Sequence, residues 1–209
     1  AGETLFYKEL ADKYETRTPK CLFAGSDADG ISVVILEDLI GQGAKFKELT
    51  VPGTPEFVAR GLEHMARRQA ASWMAPELYA NDWLRAGGSH RASDVAGWVY
   101  HPDNWAKQSK APRFQLLPQA LRDRPKLEKA MRNLQDILFL SEPWALAQGD
   151  AHFGQAYEMP DGEVRFLDWS AVQIGHWCHD VSYFMAGAMT PADRRASEED
   201  LLKGYLGKL

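Results

Sequence analysis

Two turn signals, SDADG at residues 26–30 and PDG at 160–162, stand between β-rich runs, with a long stretch of mainly helical pattern separating them. In each, an Asp-Gly pair supplies the residue that takes up positive φ in a tight hairpin. CLFAG (21–25) and ISVVILEDL (31–39) flank the first signal, and AYEM and EVRFLD flank the second. Two hairpins set far apart among helices make an α+β chain, with a small first part and a mostly helical second part.

The helices are read from apolar spacing. Residues 3–14, ETLFYKELADKY, place Leu5, Phe6, Leu10 and Tyr14 on one face with acids early, which predicts an amphipathic helix. Thr54 and Pro55 read as the N-cap and first position of a long helix reaching about Trp73, with Phe57, Leu62, Met65, Ala66 and Ala70 aligned. Leu127, Met131, Leu134 and Leu138 predict another over 125–140, ended at Glu142 and Pro143. Met74–Pro125, punctuated by Pro and Gly and carrying Trp83, Trp98 and Trp105, reads as short helices and loops over a core. From His179 the chain is helical, with Pro191 opening the last helix. There is no internal repeat or low-complexity tract.

Composition narrows the function. A chain of 209 residues, 45% of them apolar, can bury a substantial core. The net charge of −5, with signs interspersed, supplies no basic stripe to neutralise a phosphate backbone, so no nucleic-acid partner is expected. No apolar run approaches the roughly 20 residues that span a bilayer, and AGETLFYKEL is no signal peptide, so a cytoplasmic protein without a membrane role is expected. Cys21 and Cys178 lie far apart and read as structural thiols in a reducing compartment. The chain begins without methionine, directly in a helical pattern, and reads as a piece of a longer protein.

The chemistry concentrates in QGDAHFGQ, residues 148–155, between the apolar WALA and the second hairpin. Asp150 and Gln155 lie on the loop entering that hairpin, and Asp168 ends its return strand, so all three are expected at one end of a small sheet. A carboxylate with an amide oxygen suits Mg²⁺, a hard cation that keeps several waters while bridging phosphates. A second, unligated acid is then placed to orient or deprotonate a hydroxyl, which is what phosphoryl transfer from a nucleotide asks of a protein.

The segment ALAQGDAHFGQAYEMPDGEVRFLDWS resembles the catalytic segment of the aminoglycoside phosphotransferase and choline kinase-like family, HGDxHxxN followed by a hairpin and a DW or DF pair. ETLFYKEL resembles the family's N-lobe helix, SVVILEDL its fifth strand and hinge, and GHWCHDVSYF its GDPxxDLAxF segment. The resemblance implies a bilobal protein-kinase-like fold: a partial N-lobe over 1–39 and, over 40–209, a mostly helical C-lobe with a catalytic hairpin. It implies an ATP-dependent phosphotransferase acting on a small hydroxyl-bearing substrate, with ATP and Mg²⁺ as cofactors. Asp150 becomes the catalytic acid beside the acceptor hydroxyl, and Gln155 and Asp168 the Mg²⁺ ligands. Glu3 becomes the helix glutamate that pairs with a phosphate-binding lysine, the backbone at Glu37 and Leu39 meets adenine, and Asp180 braces the catalytic loop.

Three departures accompany the match. Gln148 replaces the family's histidine, Gln155 replaces its asparagine and carries its amide roughly 1.5 Å farther along one added C–C bond, and no Gly-rich loop with a strand lysine precedes Glu3. The N-lobe is therefore read as incomplete. IGQGAK (40–45), despite its glycines and lysine, follows the hinge and reads as a connector.

Two other functions compete. A nucleotide-binding pseudokinase accounts for the two glutamines as marks of lost catalysis. A hydrolase holding a transition metal on Asp150, His152, Asp168 and His176 has no recognised ligand spacing behind it. His152 is equally readable as a contact to phosphate or acceptor and as a loop histidine packing on its neighbours. His176, Cys178 and His179 in HWCHD lack the further ligands a closed zinc site needs.

Overall fold

The computed structural model describes residues 2–85 and 94–209, so the part of the Met74–Pro125 stretch at 86–93 lies outside the described residues. The chain opens with α1 (Gly2–Glu9), then β1 (Cys21–Ser26), β2 (Ser32–Leu36), β3 (Lys45–Phe46) and the long α2 (Pro55–Ala71). Short helices α3 (Pro76–Tyr79), α4 (Asp82–Arg85), α5 (Val95–Val99) and α6 (Pro102–Gln108) follow, and then α7 (Arg124–Leu140). The QGDAHFGQ segment and the hairpin after it lie among β4 (Trp144–Ala147), β5 (Ala156–Glu158), β6 (Val164–Phe166) and β7 (Gln173–His176), and α8 (Cys178–Ala188) and α9 (Pro191–Leu206) complete the order.

Both expected hairpins form. β1 and β2 pair antiparallel from Ser26↔Ser32 to Cys21↔Leu36, and the Asp27 carboxylate accepts from the Asp29 and Ile31 amides to close the turn around Gly30 at φ 81°. β5 and β6 pair from Ala156↔Phe166 to Glu158↔Val164, with Gly162 at φ 85° in the turn. Two pairings have no counterpart in the sequence reading: β3 adds to β5 as an edge, and β4 pairs antiparallel with β7 from Trp144↔His176 to Ala147↔Gln173. The second of these places the strand before QGDAHFGQ and the strand after Asp168 on one two-stranded ladder.

The first helix is shorter than expected. It stops at Glu9 instead of reaching Tyr14: the Ala11 amide bonds the Phe6 carbonyl and the Lys13 amide the Leu10 carbonyl in place of helical partners, and Tyr14, Glu15 and Arg17 then take positive φ of 55°, 52° and 46°, a left-handed backbone. That bend is tied down at three points. Tyr14 Oη donates to Glu77 at 3.0 Å, the buried His64 Nε2 meets the Thr16 carbonyl at 2.9 Å, and Arg17 pairs with Glu163 at 2.7 Å. The long helix follows its reading, with Thr54 Oγ1 accepting from the Phe57 amide at 3.3 Å and Pro55 in the first position. Asp123 caps α7 in the same way through the Lys126 amide. The apolar stripe of α7 is only partly covered, since Leu127, Met131 and Leu138 are half-buried and Leu134 is exposed.

Two apolar clusters hold the molecule. One joins Phe57, Leu62 and Met65 of α2, Val164 and Phe166 of β6, and Phe184 and Met185 of α8, with Tyr205 of α9. The other gathers Phe6 and Tyr7 of α1, with Leu10 just beyond it, together with Leu146, Trp169 and Ile174, and α1 packs against the Trp169 turn and the β1–β2 hairpin. Phe6 stacks on Trp169 with ring centroids 4.1 Å apart. No helix of the described residues is long and apolar enough to cross a membrane.

Candidate active site

The loop that leaves β4 is built on a backbone conformation reserved for glycine. Gly149 has φ 89°, and a β-carbon there would lie 2.0 Å from the Ala171 carbonyl oxygen. The turn that presents Asp150 thus requires this glycine. The carboxylate of Asp180, fully buried on the first turn of α8, accepts from the Gln148 amide at 2.7 Å and the Gly149 amide at 3.0 Å. Arg68 of α2 donates to the same carboxylate at 2.6 Å and reaches the Leu146 carbonyl at 3.2 Å, with both side chains fully buried. Burial draws the Arg68 guanidinium pKa down, and the charge of Asp180 opposes that shift. His179 Nε2 adds a contact to the Gly149 carbonyl at 2.9 Å. Asp180 stands where the resemblance put it; Arg68 was missed, because a cation within an amphipathic helix carries no sign of a partner 112 positions away.

Gln148 occupies the next layer. Its Oε1 accepts from the Asp150 amide at 2.8 Å, and its Nε2 donates to the carbonyls of Leu167 at 2.9 Å and Asp168 at 2.5 Å. The residue that departs from the family histidine is fully buried and joins Asp150 to the Asp168 segment. It completes the backbone hydrogen bonding of both loops.

Asp168 follows β6 at φ 56°, with its Oδ1 accepting from the Ser170 amide at 3.2 Å and the Ser170 hydroxyl at 2.6 Å. Its Oδ2 faces the Gln155 amide at 3.1 Å. The longer side chain at 155 therefore spans the distance to Asp168. Glu3 of α1 closes the group, its Oε1 accepting from the Trp169 amide at 3.2 Å. Burial raises the Glu3 carboxyl above its usual range, against that N–H, and the charge of Asp168 adds to the rise. Among the described residues no lysine or arginine pairs with Glu3.

The Asp150 carboxylate is half-buried and looks to another side. His152 Nδ1 accepts from the Gly154 amide at 3.0 Å, which leaves the ring proton of neutral His152 on Nε2, and that atom stands 3.8 Å from Asp150 Oδ2. Asp150, Gln155 and Asp168 are thus brought to one end of the β5–β6 hairpin, with Gln148 connecting the two sides. Glu37 and Leu39 stand apart from this group. The Glu37 carboxylate accepts from the Lys20 amide at 2.8 Å, and that contact lowers its pKa first, with Gln42 adding. Its own amide is bonded to Lys20, and the Leu39 carbonyl accepts from Gln42 and Ala44 across the IGQGAK turn. The Glu37 carbonyl and the Leu39 N–H have no hydrogen-bond partner among the described residues.

HWCHD does not converge. His176 Nδ1 meets Cys178 Sγ at 3.0 Å while His179 turns to Gly149, and among the described residues no three His, Cys, Asp or Glu side chains group as metal ligands. An amide and a carboxylate oxygen, as at Gln155 and Asp168, form a different kind of donor set. It is one that fits Mg²⁺ completed by phosphates and water.

The sequence matches no protein-family model and no curated protein at a significant level. Solved structures resemble it more closely than sequences do. An aminoglycoside-3'-phosphotransferase of type VIII superposes with a TM-score of 0.57 at 16% identity, over 98% of this chain and 71% of that one. A choline/ethanolamine kinase family protein from Mesorhizobium loti superposes with a TM-score of 0.51 at 15% identity, over 99% of this chain and 59% of that one. The chain has the fold shared by aminoglycoside phosphotransferases and choline kinase-like proteins.

Proposed function

We propose that the chain is the catalytic part of an ATP-dependent phosphotransferase that moves a γ-phosphoryl group to the hydroxyl of a small molecule. One observation carries the reading: Asp150 and the Gln155–Asp168 pair are held at the same end of one hairpin, with Gln148 bonded to both sides. In this reading 1–39 is the smaller lobe and 40–209 the larger. Small-molecule phosphotransferases that share the fold support it.

Asp150 orients the acceptor hydroxyl and takes its proton as the oxygen attacks. Gln155 and Asp168 would hold Mg²⁺, which would offset the charge that develops on the transferred phosphoryl group. The Glu37 carbonyl and Leu39 N–H, both without hydrogen-bond partners among the described residues, offer the acceptor and donor that an adenine edge needs. Glu3 sits beside Asp168, where an approaching cation would favour its ionised form.

The test is Asp150→Asn, assayed for ATP consumption with choline, ethanolamine and an aminoglycoside as acceptors. The variant loses turnover and keeps MgATP affinity; equal turnover in the two proteins overturns the assignment. A nucleotide-binding pseudokinase is the second reading, favoured by the Gln155 amide facing the Asp168 oxygen that a metal would use. MgATP-dependent thermal stabilisation without ATP consumption across the acceptors, together with turnover gained in Gln155→Asn, would establish it.

A further inference from the structure

The turn of the β5–β6 hairpin, at the end opposite Gln155 and Asp168, borders a cavity of about 390 Å³ that the proposed reaction does not use. Its walls come from α2, from the left-handed bend at Arg17, and from the hairpin turn with β6, and none of Asp150, Gln155 or Asp168 lines it. Four arginines do, Arg17, Arg60, Arg67 and Arg165, against three acids. Glu163 serves three of the arginines at once: its Oε1 accepts from Arg17 at 2.7 Å and Arg67 at 3.2 Å, and its Oε2 from Arg165 at 2.7 Å. Glu63 is divided between Arg67 and Lys208, and Asp161 accepts from the Glu163 amide in the turn. Arg60 shares Glu158 with Lys47. Each guanidinium carries five N–H donors, so a carboxylate split among two or three cations leaves donors and positive charge at the cavity.

Two buried atoms on the same walls are unfilled. His64, 1% exposed, uses Nε2–H on the Thr16 carbonyl at 2.9 Å, which leaves Nδ1 of the neutral ring as an acceptor, and Nδ1 has no hydrogen-bond partner among the described residues. Burial, and then the charge of Arg68, lowers the pKa of the ring, so Nδ1 keeps its lone pair. The buried Nε–H of Arg60 likewise has no partner. One acceptor and one donor left open beside a group of guanidiniums match an oxyanion that brings its own O–H. We propose that this cavity binds inorganic phosphate, the phosphate O–H donating to His64 Nδ1 and its charged oxygens accepting from Arg60 Nε and the guanidiniums that share Glu163. Sulfate has the same shape and charge as monohydrogen phosphate but no proton, and would set an oxygen lone pair against that of Nδ1. A phosphomonoester, whose second pKa is about 6, has also lost its last proton at about pH 8.

Isothermal titration calorimetry on the full chain, without nucleotide or Mg²⁺, at about pH 8 and constant ionic strength, compares inorganic phosphate, sulfate and O-phosphoserine. Their anionic groups carry the same charge and differ in the O–H. Phosphate gives a single saturable event, about tenfold or more tighter than either of the others, because each of those leaves a buried acceptor unfilled. Arg60→Lys, at a partly exposed side chain, keeps the charge and loses Nε–H, and it weakens phosphate about tenfold. Glu163→Gln removes the carboxylate that competes for three guanidiniums and tightens phosphate, whereas Asp168→Asn leaves its affinity unchanged. Sulfate as tight as phosphate would reduce the cavity to a charged surface and overturn the inference, and O-phosphoserine tighter than phosphate would overturn the choice of ligand. Absence of saturable binding, or a loss confined to Asp168→Asn, overturns it as well. No readout depends on turnover, so the failure of the phosphotransferase reading and of this one are separate results.

Discussion

The two glutamines that bound the QGDAHFGQ loop lie in opposite surroundings. Gln148 is fully buried and bonded through both amide atoms to three backbone groups, and beneath it the Asp180 carboxylate and Arg68 are also shut off from solvent. Gln155, seven positions on, is half-buried and makes one side-chain hydrogen bond, to a carboxylate that is itself exposed. The first region is satisfied by the protein alone and sets the path of the chain. The second leaves oxygen atoms available to a ligand. On the proposed reading, binding a cation and phosphates would need both: a backbone that does not move and groups open to solvent.

That contrast predicts a ranking. Replacing Arg68 with methionine leaves the Asp180 carboxylate buried without its cation, and urea denaturation should register a loss of about 3–5 kcal/mol. Gln148→Leu strands the Asp150 amide and the carbonyls of Leu167 and Asp168; allowing for relaxation, the loss is about 2–3 kcal/mol in the same measurement. Similar stability in either variant would break the distinction between the regions.

The buried polar face of α2 also carries His64, whose pKa is lowered to about 3, first by burial and then by the charge of Arg68. Its folded pKa lies below its unfolded value, so its neutral form costs nothing above pH 6.5. As pH falls from about 6.5 toward 3 the unfolded chain takes up a proton that the folded one refuses, and stability drops by about 1.4 kcal/mol per pH unit. A denaturation series between pH 7 and 4 measures the slope, and His64→Gln, which keeps a donor for the Thr16 carbonyl, should flatten it. Smallest in stability is Gln155→Ala, within about 0.5 kcal/mol of the parent. Its effect belongs to ligand binding, read as a loss of Mg²⁺-dependent stabilisation by ATP.

What was legible in the sequence was local. The turn signals at Gly30 and Gly162 and the spacing of Asp150, Gln155 and Asp168 each lie within a few tens of residues, where backbone chemistry constrains the chain directly. The caps at Thr54 and Asp123 behave as their side chains dictate, although only the first was read in advance. The β4–β7 ladder was not legible, because WALA and QIGH are four-residue strands too short to show a period. The end of α1 was hidden as well, since its left-handed turn uses Tyr14, Glu15 and Arg17 in place of the glycine that would announce it. Of the candidate site, the side chains gathered at one end of the β5–β6 hairpin, Asp150, Gln155 and Asp168, were readable. Those that hold the loop and Asp168 in place, Arg68 and Ser170, are brought in by tertiary packing or serve locally without a motif.

The stack of Phe6 on Trp169, with Glu3 bonded to the Trp169 amide, connects the first helix to the residue next to Asp168. Helix docking and the pose of that carboxylate are consequently one variable. By thermodynamic reciprocity, a ligand that prefers the Asp168 pose seen here tightens the seat of α1, and any contact that steadies α1 raises affinity for that ligand by the same factor. A probe on the outer face of α1 would therefore report occupancy of a site it never touches.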